Sequence, residues 1–157
     1  DLHRRRHSFP TRRSSDLVLD TTLGFHIARA SVVAYDAFEQ HIGTPHGLRK
    51  VDFSLLMLVA EHGHLAPKVL AKMLSLTAPK LSMVLDRMQA RGLIDRTPDP
   101  LDRRSVQVTL TAEGVRLARA LEPVARRMEQ GLKKRLSAAD HARLIQLLSK
   151  LASPLTS

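Results

Sequence analysis

The stretch LAKMLSLTAPKLSMVLDRM, residues 70–88, decides the fold of this chain of 157 residues. In its second half Leu81, Val84, Leu85 and Met88 recur at the i, i+3, i+4, i+7 spacing of a helix with one buried face. The apolar residues of its first half predict a shorter helix, and only residues 75–77 separate the two. Because so short a link forces a steep crossing, the pattern predicts a helix-turn-helix whose second helix protrudes.

The protruding helix presents polar and basic side chains to solvent, and this surface can enter a nucleic-acid groove. Its first turn can offer backbone amides to a phosphate, and Ala78 or Met83 could touch a thymine methyl. Its leading turn contains no Asn or Gln, so strong direct readout of purines is not expected. The predicted contact residues of this helix are Thr77, Ala78, Pro79, Lys80, Ser82, Met83 and Arg87.

A predicted β-hairpin follows the second helix. Gly92 suits the left-handed position after a helix end, and residues 94–97 and 105–110 have the composition and alternation of short strands. The tip between these strands carries Asp102, Arg103 and Arg104 into solvent. Arginines on a stiff ribbon favour a phosphate partner over a purely structural role. The hairpin is therefore predicted to be a DNA-binding wing.

The segment RTPDPLDRRSVQVTLTAEG, residues 96–114, resembles the signature of the MarR family of winged-helix transcriptional regulators. The resemblance extends from Val18 to about Leu151. It implies that Asp102 orients Arg104 into or beside a minor groove, whose negative potential attracts arginine. It also implies a homodimer that binds a short inverted repeat in double-stranded DNA and releases it when a small-molecule effector binds.

Long amphipathic segments flank the winged lobe. Residues 18–42 predict one long helix, Thr111 caps a helix of about 25 residues, and Ser137 begins a last helix. These segments carry more apolar surface than a small wing can bury, so we expect a homodimer. The fold class is thus mainly α with a small β-hairpin wing, a winged helix-turn-helix with long N- and C-terminal dimerisation helices. The expected interface residues are Leu23, Ile27, Leu121, Met128, Leu132, Leu144 and Leu148.

The first 17 residues do not look like part of a domain. They contain five arginines, and the string from His7 to Leu17 resembles translated sequencing-adapter read-through, so we expect a non-native basic tail and a lost natural N-terminus. A basic arm lying in a minor groove is the alternative. We expect one domain over residues 18–152, with the DNA-binding lobe at 51–110 and the dimerisation helices at 18–42 and 111–152.

Composition bounds the other function classes. The net charge is +10, and omitting the five arginines and two aspartates of the tail still leaves +7, which favours a polyanionic partner. The sequence contains no glycine-rich phosphate loop, G-x-S-x-G or H-E-x-x-H motif, so neither an enzyme nor a cofactor is expected. No apolar run could cross a membrane, and the absence of cysteine fits the cytoplasm.

The sequence gives weaker support to other roles. His41, His46, His62 and His64 could form a zinc site, but their spacing favours surface histidines, and no metal is expected. Residues such as Phe25, Phe38 and Met57 could line an effector cleft, but core packing is the favoured role for each, and no residue is assigned to ligand binding. A nonspecific nucleoid-type DNA binder and a winged-helix protein-interaction module are the alternative functions.

Overall fold

A computed structural model describes residues 18–102 and 104–153. The predicted tail, residues 1–17, and Arg103 of the predicted wing lie outside the described residues. The chain divides into two compact units, one ending at Asp36 and one beginning at Ala37, and each is described by itself. In the described residues no helix is long and apolar enough to cross a membrane.

The described residues are mostly helical, as predicted. A 3-10 turn over Val18–Thr21 precedes the first α-helix, and a π-helical turn over Glu39–Gly43 follows it, where the sequence predicted one continuous helix to residue 42. The α-helices of the described residues are α1 (Leu23–Phe38), α2 (Thr44–His46), α3 (Lys50–His62), α4 (Pro67–Met73), α5 (Ala78–Ala90), α6 (Ala112–Lys133) and α7 (Ala138–Ala152).

The wing is part of a small antiparallel sheet. Its strands β1 (His64–Leu65), β2 (Ile94–Pro98) and β3 (Val106–Leu110) are ordered β1-β3-β2, and the hairpin β2–β3 was predicted. Strand β1 was missed because two residues are too few for an alternation to be visible in the sequence. It adds the pairs His64 to Thr109 and Leu65 to Val108, which anchor the wing to the end of α3.

The end of α5 is a Schellman motif, as the position of Gly92 predicted. Gly92 has φ +67°, its N–H donates to the Gln89 carbonyl at 2.8 Å, and the Leu93 N–H donates to the Met88 carbonyl at 3.1 Å. A left-handed conformation strains residues with a Cβ, so glycine is favoured here. The chain then turns directly into β2 with Leu93 and Ile94 buried.

The core of the second unit joins α3, α5, the sheet and the first half of α6. Asp52 is the buried charged residue of the described chain, with 1% of its surface exposed. The buried hydrophobic residues are Phe38, Ile42, Leu48, Leu55, Leu56, Val59, Leu70, Leu81, Val84, Leu85, Met88, Leu93, Ile94, Val108, Ala118 and Leu121.

The start of α6 packs closely on the end of α5. Thr111 caps α6 as predicted: its hydroxyl accepts from the Gly114 N–H at 3.0 Å and donates to the Gly92 carbonyl at 2.6 Å. A Cβ at Gly114 would lie 2.0 Å from the Leu93 carbonyl oxygen, which is backbone and cannot swing away. Position 114 therefore requires glycine because of a close backbone approach.

We predict that Gly114→Ala lowers the free energy of unfolding by about 1–3 kcal/mol, because the added methyl forces the backbones of α6 and β2 apart. Gly131→Ala in the same helix is the matched control. Nothing lies within 4 Å of a Cβ at Gly131, so alanine should raise stability by about 0.5–1 kcal/mol. Urea unfolding followed by circular dichroism measures both changes, and equal stability of the two variants would contradict the prediction.

Candidate nucleic-acid interface

Helices α4 and α5 form the predicted helix-turn-helix. Between them Ser75 has φ +53°, and the Leu76 N–H donates to the Ala71 carbonyl at 2.9 Å, which turns the chain sharply. Thr77 occupies the N-cap position of α5 as predicted, but its hydroxyl accepts no capping hydrogen bond. The Thr77 carbonyl instead accepts from the Leu81 N–H at 3.0 Å, so backbone bonding alone starts the helix.

One face of α5 is buried and the opposite face is open to solvent. Leu81, Val84, Leu85 and Met88 are buried, and Met83 is 67% exposed. Six of the residues predicted to contact DNA lie on the exposed part of the helix and its first turn: Thr77, Ala78, Pro79, Lys80, Ser82 and Met83.

The seventh residue, Arg87, points elsewhere. Its guanidinium forms an ion pair with the buried carboxylate of Asp52, with Nη2 against Oδ1 and Nε donating to Oδ2 at 3.3 Å. The same Oδ2 accepts the Arg49 N–H at 3.1 Å, so Asp52, in the first turn of α3, bonds back to the N-cap residue. Arg87 therefore points away from the groove face on which it was predicted. Its positive charge neutralises the Asp52 carboxylate, which could not remain buried alone.

Two other arginines also bind within the chain. Arg91, one turn beyond Arg87, donates to the carbonyl of Gly47 at 2.7 Å and to that of His46 at 3.1 Å, and so holds the segment before α3. Arg96 in β2 donates to the Gln89 side chain at 2.7 Å and to Asp86 at 2.6 Å. Arg96 thus ties the wing strand β2 to α5, the protruding second helix of the helix-turn-helix and hence its recognition helix, a role that the sequence did not reveal.

The wing turn is closed by backbone and carboxylate hydrogen bonds. The Asp99 N–H donates to the Ser105 carbonyl at 2.9 Å, and the Ser105 N–H donates to the Asp102 carbonyl at 2.9 Å. The Asp102 carboxylate accepts the backbone N–H of Arg104 at 3.0 Å. Asp102 therefore orients Arg104 through its main chain, and among the described residues no ion pair engages the exposed Arg104 guanidinium.

The Asp99 carboxylate is the more elaborately bonded of the two wing aspartates. Oδ2 accepts from Gln107 Nε2 at 2.5 Å and Oδ1 accepts from the Leu101 N–H at 2.8 Å. These bonds, with that from Gln107 first, lower the pKa of Asp99 below its ordinary value of 3.8, because they favour the charged form. At neutral pH Asp99 is thus a carboxylate whose charge is bonded within the wing.

Exposed lysines on α4 extend the basic surface of the helix-turn-helix. Lys68 and Lys72 are both exposed, and the sequence analysis did not single them out. The signal was available, because both lie on the helix that precedes the recognition helix in a fold whose first helix crosses the phosphate backbone. An open cavity of about 420 Å³ lies between α4, α5 and the wing strands. Its lining includes Lys68 of α4, Ser82 of α5, and Arg96 and Val106 of the wing.

The histidines weighed as metal ligands are not assembled into a site. In residues 18–102 and 104–153 no group of three or more His, Asp or Glu side chains could hold a metal ion. His41 and His62 instead bond the carbonyls of Ala37 and Leu58 in the preceding helical turn, at 2.8 and 2.9 Å.

The expected interface residues differ in exposure within one chain. Leu23, Ile27, Leu144 and Leu148 are exposed, and Met128 and Leu132 are half-buried. Leu121 is fully buried in the core of its own chain, so it is not available to contact a second copy. The periodicity of α6 could not separate these two kinds of residue, because its apolar stripe runs continuously from the core to the far end.

Comparison with known proteins identifies relatives over most of the chain. Residues 46–105 match the model of the MarR family. The putative transcriptional regulatory protein for the hcr operon of Thauera aromatica is 30% identical over 82% of this chain and 78% of that protein. The transcriptional repressor CouR, solved with a 23-mer DNA duplex, is 32% identical with a TM-score of 0.76, over 86% of this chain and 95% of that one.

A further structure concerns BpsR of Bordetella bronchiseptica and the regulation of its DNA binding by 6-hydroxynicotinic acid. It is 27% identical to this chain with a TM-score of 0.77, over 85% of this chain and 95% of that one.

The Arg87 ion pair leads to a prediction about stability. Arg87→Ala leaves the Asp52 carboxylate buried without its partner, so the free energy of unfolding should fall by about 3–5 kcal/mol. Lys80→Ala on the exposed face of the same helix is the control and should change stability by no more than about 0.5 kcal/mol. Denaturant unfolding of both variants tests this. If Arg87→Ala were as stable as Lys80→Ala, the ion pair of Arg87 with Asp52 would not stabilise the core.

Proposed function

The chain belongs to the MarR family of DNA-binding transcriptional regulators, and from this premise we propose that it acts as a homodimeric repressor that a small molecule releases from its operator. The observation that carries the proposal is the pairing of two exposed elements on the second unit. One is the outer face of α5 with Lys80, Ser82 and Met83, and the other is the wing with Arg104. A major-groove helix beside a basic ribbon suits duplex DNA.

The two elements have different tasks in this proposal. The recognition helix reads base edges, because only a helix of this kind reaches deep into the major groove. Arg104, and Arg103 beside it in the sequence, meet phosphates or a narrow minor groove and supply affinity that depends on charge. Asp102 contributes by holding the Arg104 main chain. Lys68 and Lys72 of α4 add phosphate contacts.

The proposed dimer is supported by apolar surface that one chain leaves uncovered. Helix α7 contains no buried residue, and Leu144, Ile145, Leu147, Leu148 and Leu151 are each more than 40% exposed. In the other unit Leu23, Ile27 and Val33 are also exposed. Continuous apolar faces of this kind mark protein interfaces, and a second copy of the chain is the proposed partner. Two-fold symmetry then places two recognition helices in half-sites about ten base pairs apart.

The proposed effector site has support from a cavity and from a relative. A cavity of about 360 Å³ lies between α3 and α6, and its lining includes Met57, Leu110, Val115, Arg119 and Glu122. Apolar walls with a few charged groups are typical of small-molecule sites. The BpsR structure concerns regulation by an aromatic acid, and Arg119 offers a charge that such an anion could meet. Phe38 instead packs on Phe53 in the core, at 5.8 Å between ring centroids.

A location in the cytoplasm and action by binding rather than catalysis follow from this proposal, because the operator is chromosomal. A nonspecific nucleoid-type binder is the rival function that experiment must separate. Specific and unrelated competitor DNA would displace such a binder equally well from a labelled duplex. The proposed repressor instead stays bound to its operator in a large excess of unrelated duplex.

We predict that Leu148→Glu converts the dimer to monomers while each chain stays folded, because Leu148 is exposed in the single chain and its replacement disturbs only the contact with a second copy. Gln146→Glu adds the same charge to the same helix at an exposed polar position and should remain dimeric. Sedimentation velocity at micromolar concentration distinguishes the two states. The proposed interface is wrong if the unaltered protein is already a monomer.

We predict that Arg104→Ala weakens binding to specific and unrelated duplexes alike, since the lost contact is to phosphate or to groove shape. The slope of log affinity against log salt should fall by about two for a dimer.

Ser82→Ala should weaken binding to the specific duplex only. Arg104→Lys keeps the charge but loses the planar fork, and so separates groove recognition from charge. Fluorescence anisotropy titrations at several salt concentrations measure these effects. An unchanged slope in Arg104→Ala would exclude the wing from the interface.

A further inference from the structure

We propose that Asp99 and Gln107 are positioning residues for DNA binding: the hydrogen bond between their side chains, here called the wing clasp, holds the wing tip in the orientation in which Arg104 meets the duplex. This inference rests on the proposed contact of Arg104 with DNA. Neither residue belongs to the Asp-x-Arg pattern of Asp102 and Arg104, and neither carries a charge that would itself attract phosphate.

Backbone hydrogen bonds hold only part of the wing tip. The ladder between β2 and β3 ends at the pair Pro98 and Val106, and Pro98 and Pro100 have no N–H to donate. Beyond that pair, the Asp99 N–H donates to the Ser105 carbonyl across the base of the turn, and the Ser105 N–H donates to the Asp102 carbonyl within its second half. Neither of these backbone bonds holds Leu101 in the first half of the tip. Side chains therefore have to fix the tip where the prolines interrupt the ladder.

The clasp bridges the two strands at this point. Gln107 lies opposite Thr97 in the register, and its Nε2 donates to Asp99 Oδ2 at 2.5 Å across the hairpin. The other carboxylate oxygen accepts the Leu101 N–H at 2.8 Å. One carboxylate thus joins β3 to the first residues of the tip, and the same hydrogen bonds, with that from Gln107 first, lower the pKa of Asp99.

The other end of the Gln107 amide indicates that the donor is what this position needs. Gln107 Oε1 is buried and has no hydrogen-bond partner among the described residues. A buried acceptor without a partner costs free energy, which an apolar side chain of the same size would avoid. At position 107 the unpartnered oxygen of a glutamine side chain costs free energy, and its nitrogen gains free energy by bonding Asp99.

Four variants separate the clasp from charge. Gln107→Met has similar length and no donor, so it breaks the clasp without changing the net charge. Gln107→Glu replaces the donor with a second carboxylate and also breaks it. Asp99→Asn keeps an acceptor for Leu101 and offers its own N–H to Gln107 Oε1, so rotation of the glutamine amide preserves the clasp. The double variant Asp99→Asn with Gln107→Glu restores it with donor and acceptor exchanged.

The experiment uses the full chain and a duplex that the unaltered protein selects from a random pool, with anisotropy titrations over 50–200 mM salt. Gln107→Met and Gln107→Glu should each weaken binding on the order of tenfold and lower the salt slope as Arg104→Ala does. The double variant should bind within about twofold of the unaltered protein. Thermal midpoints, measured in parallel, should stay close to that of the unaltered protein for all four, because the wing tip lies outside the core.

The coupling to Arg104 is the decisive readout. In an Arg104→Ala background, Gln107→Met should have no further effect, because the clasp acts through the arginine. If the losses of affinity in Arg104→Ala and Gln107→Met add up when the two substitutions are combined, the inference is overturned. Unchanged binding of Gln107→Met, when Arg104→Ala itself weakens binding, overturns it as well. If Gln107→Met bound normally and only Gln107→Glu were weak, charge repulsion would explain the result and the clasp would be excluded. If Arg104→Ala has no effect, the proposed role of the wing fails first.

Discussion

The close approach of Gly114 to the Leu93 carbonyl is the constraint on which the second unit depends. At this point the end of α5, the start of β2 and the start of α6 meet, and Thr111 bonds both Gly92 and Gly114. Because interiors are packed as densely as crystals, a contact at 2.0 Å from a potential Cβ leaves no room for adjustment. Helix α5, the wing and the long helix α6 therefore take their mutual positions from a few backbone atoms, and this geometry explains why Thr111 and Gly114 stand three residues apart.

The basic charge of the chain has two different uses. Arg87, Arg91 and Arg96 bind carboxylate or carbonyl oxygens of the chain itself, and each connects α5 to a neighbouring element. Lys80 and Arg104 are exposed and have no such bonds among the described residues. The net charge of +10 consequently overstates the charge available to a polyanion. Arg87, Arg91 and Arg96 therefore hold α5 in place through bonds within the chain.

The features that could be predicted from the sequence are those that depend on local order along the chain. The stripe of α5, the left-handed Gly92 and the caps at Thr111 and Ser137 each involve residues within a turn of one another, so their pattern is visible without the fold. Features that join distant segments were not visible. Arg87 meets Asp52 from 35 positions away, β1 is too short to show alternation, and Leu121 belongs to the same apolar stripe as residues that the core does not cover.

The wing raises the question of why a surface hairpin should be stiffened at all. Binding orders flexible groups at a cost in conformational entropy, and a tip that is already held in its bound orientation avoids that part of the cost. Pro98 and Pro100 restrict the backbone of the turn, yet they also remove the donors that would extend the ladder. Asp99 compensates for this by accepting one bond from the tip and one from the opposite strand. The prolines and Asp99 thus act together. The prolines limit the conformations of the turn, and the hydrogen bonds of Asp99 favour one of these conformations.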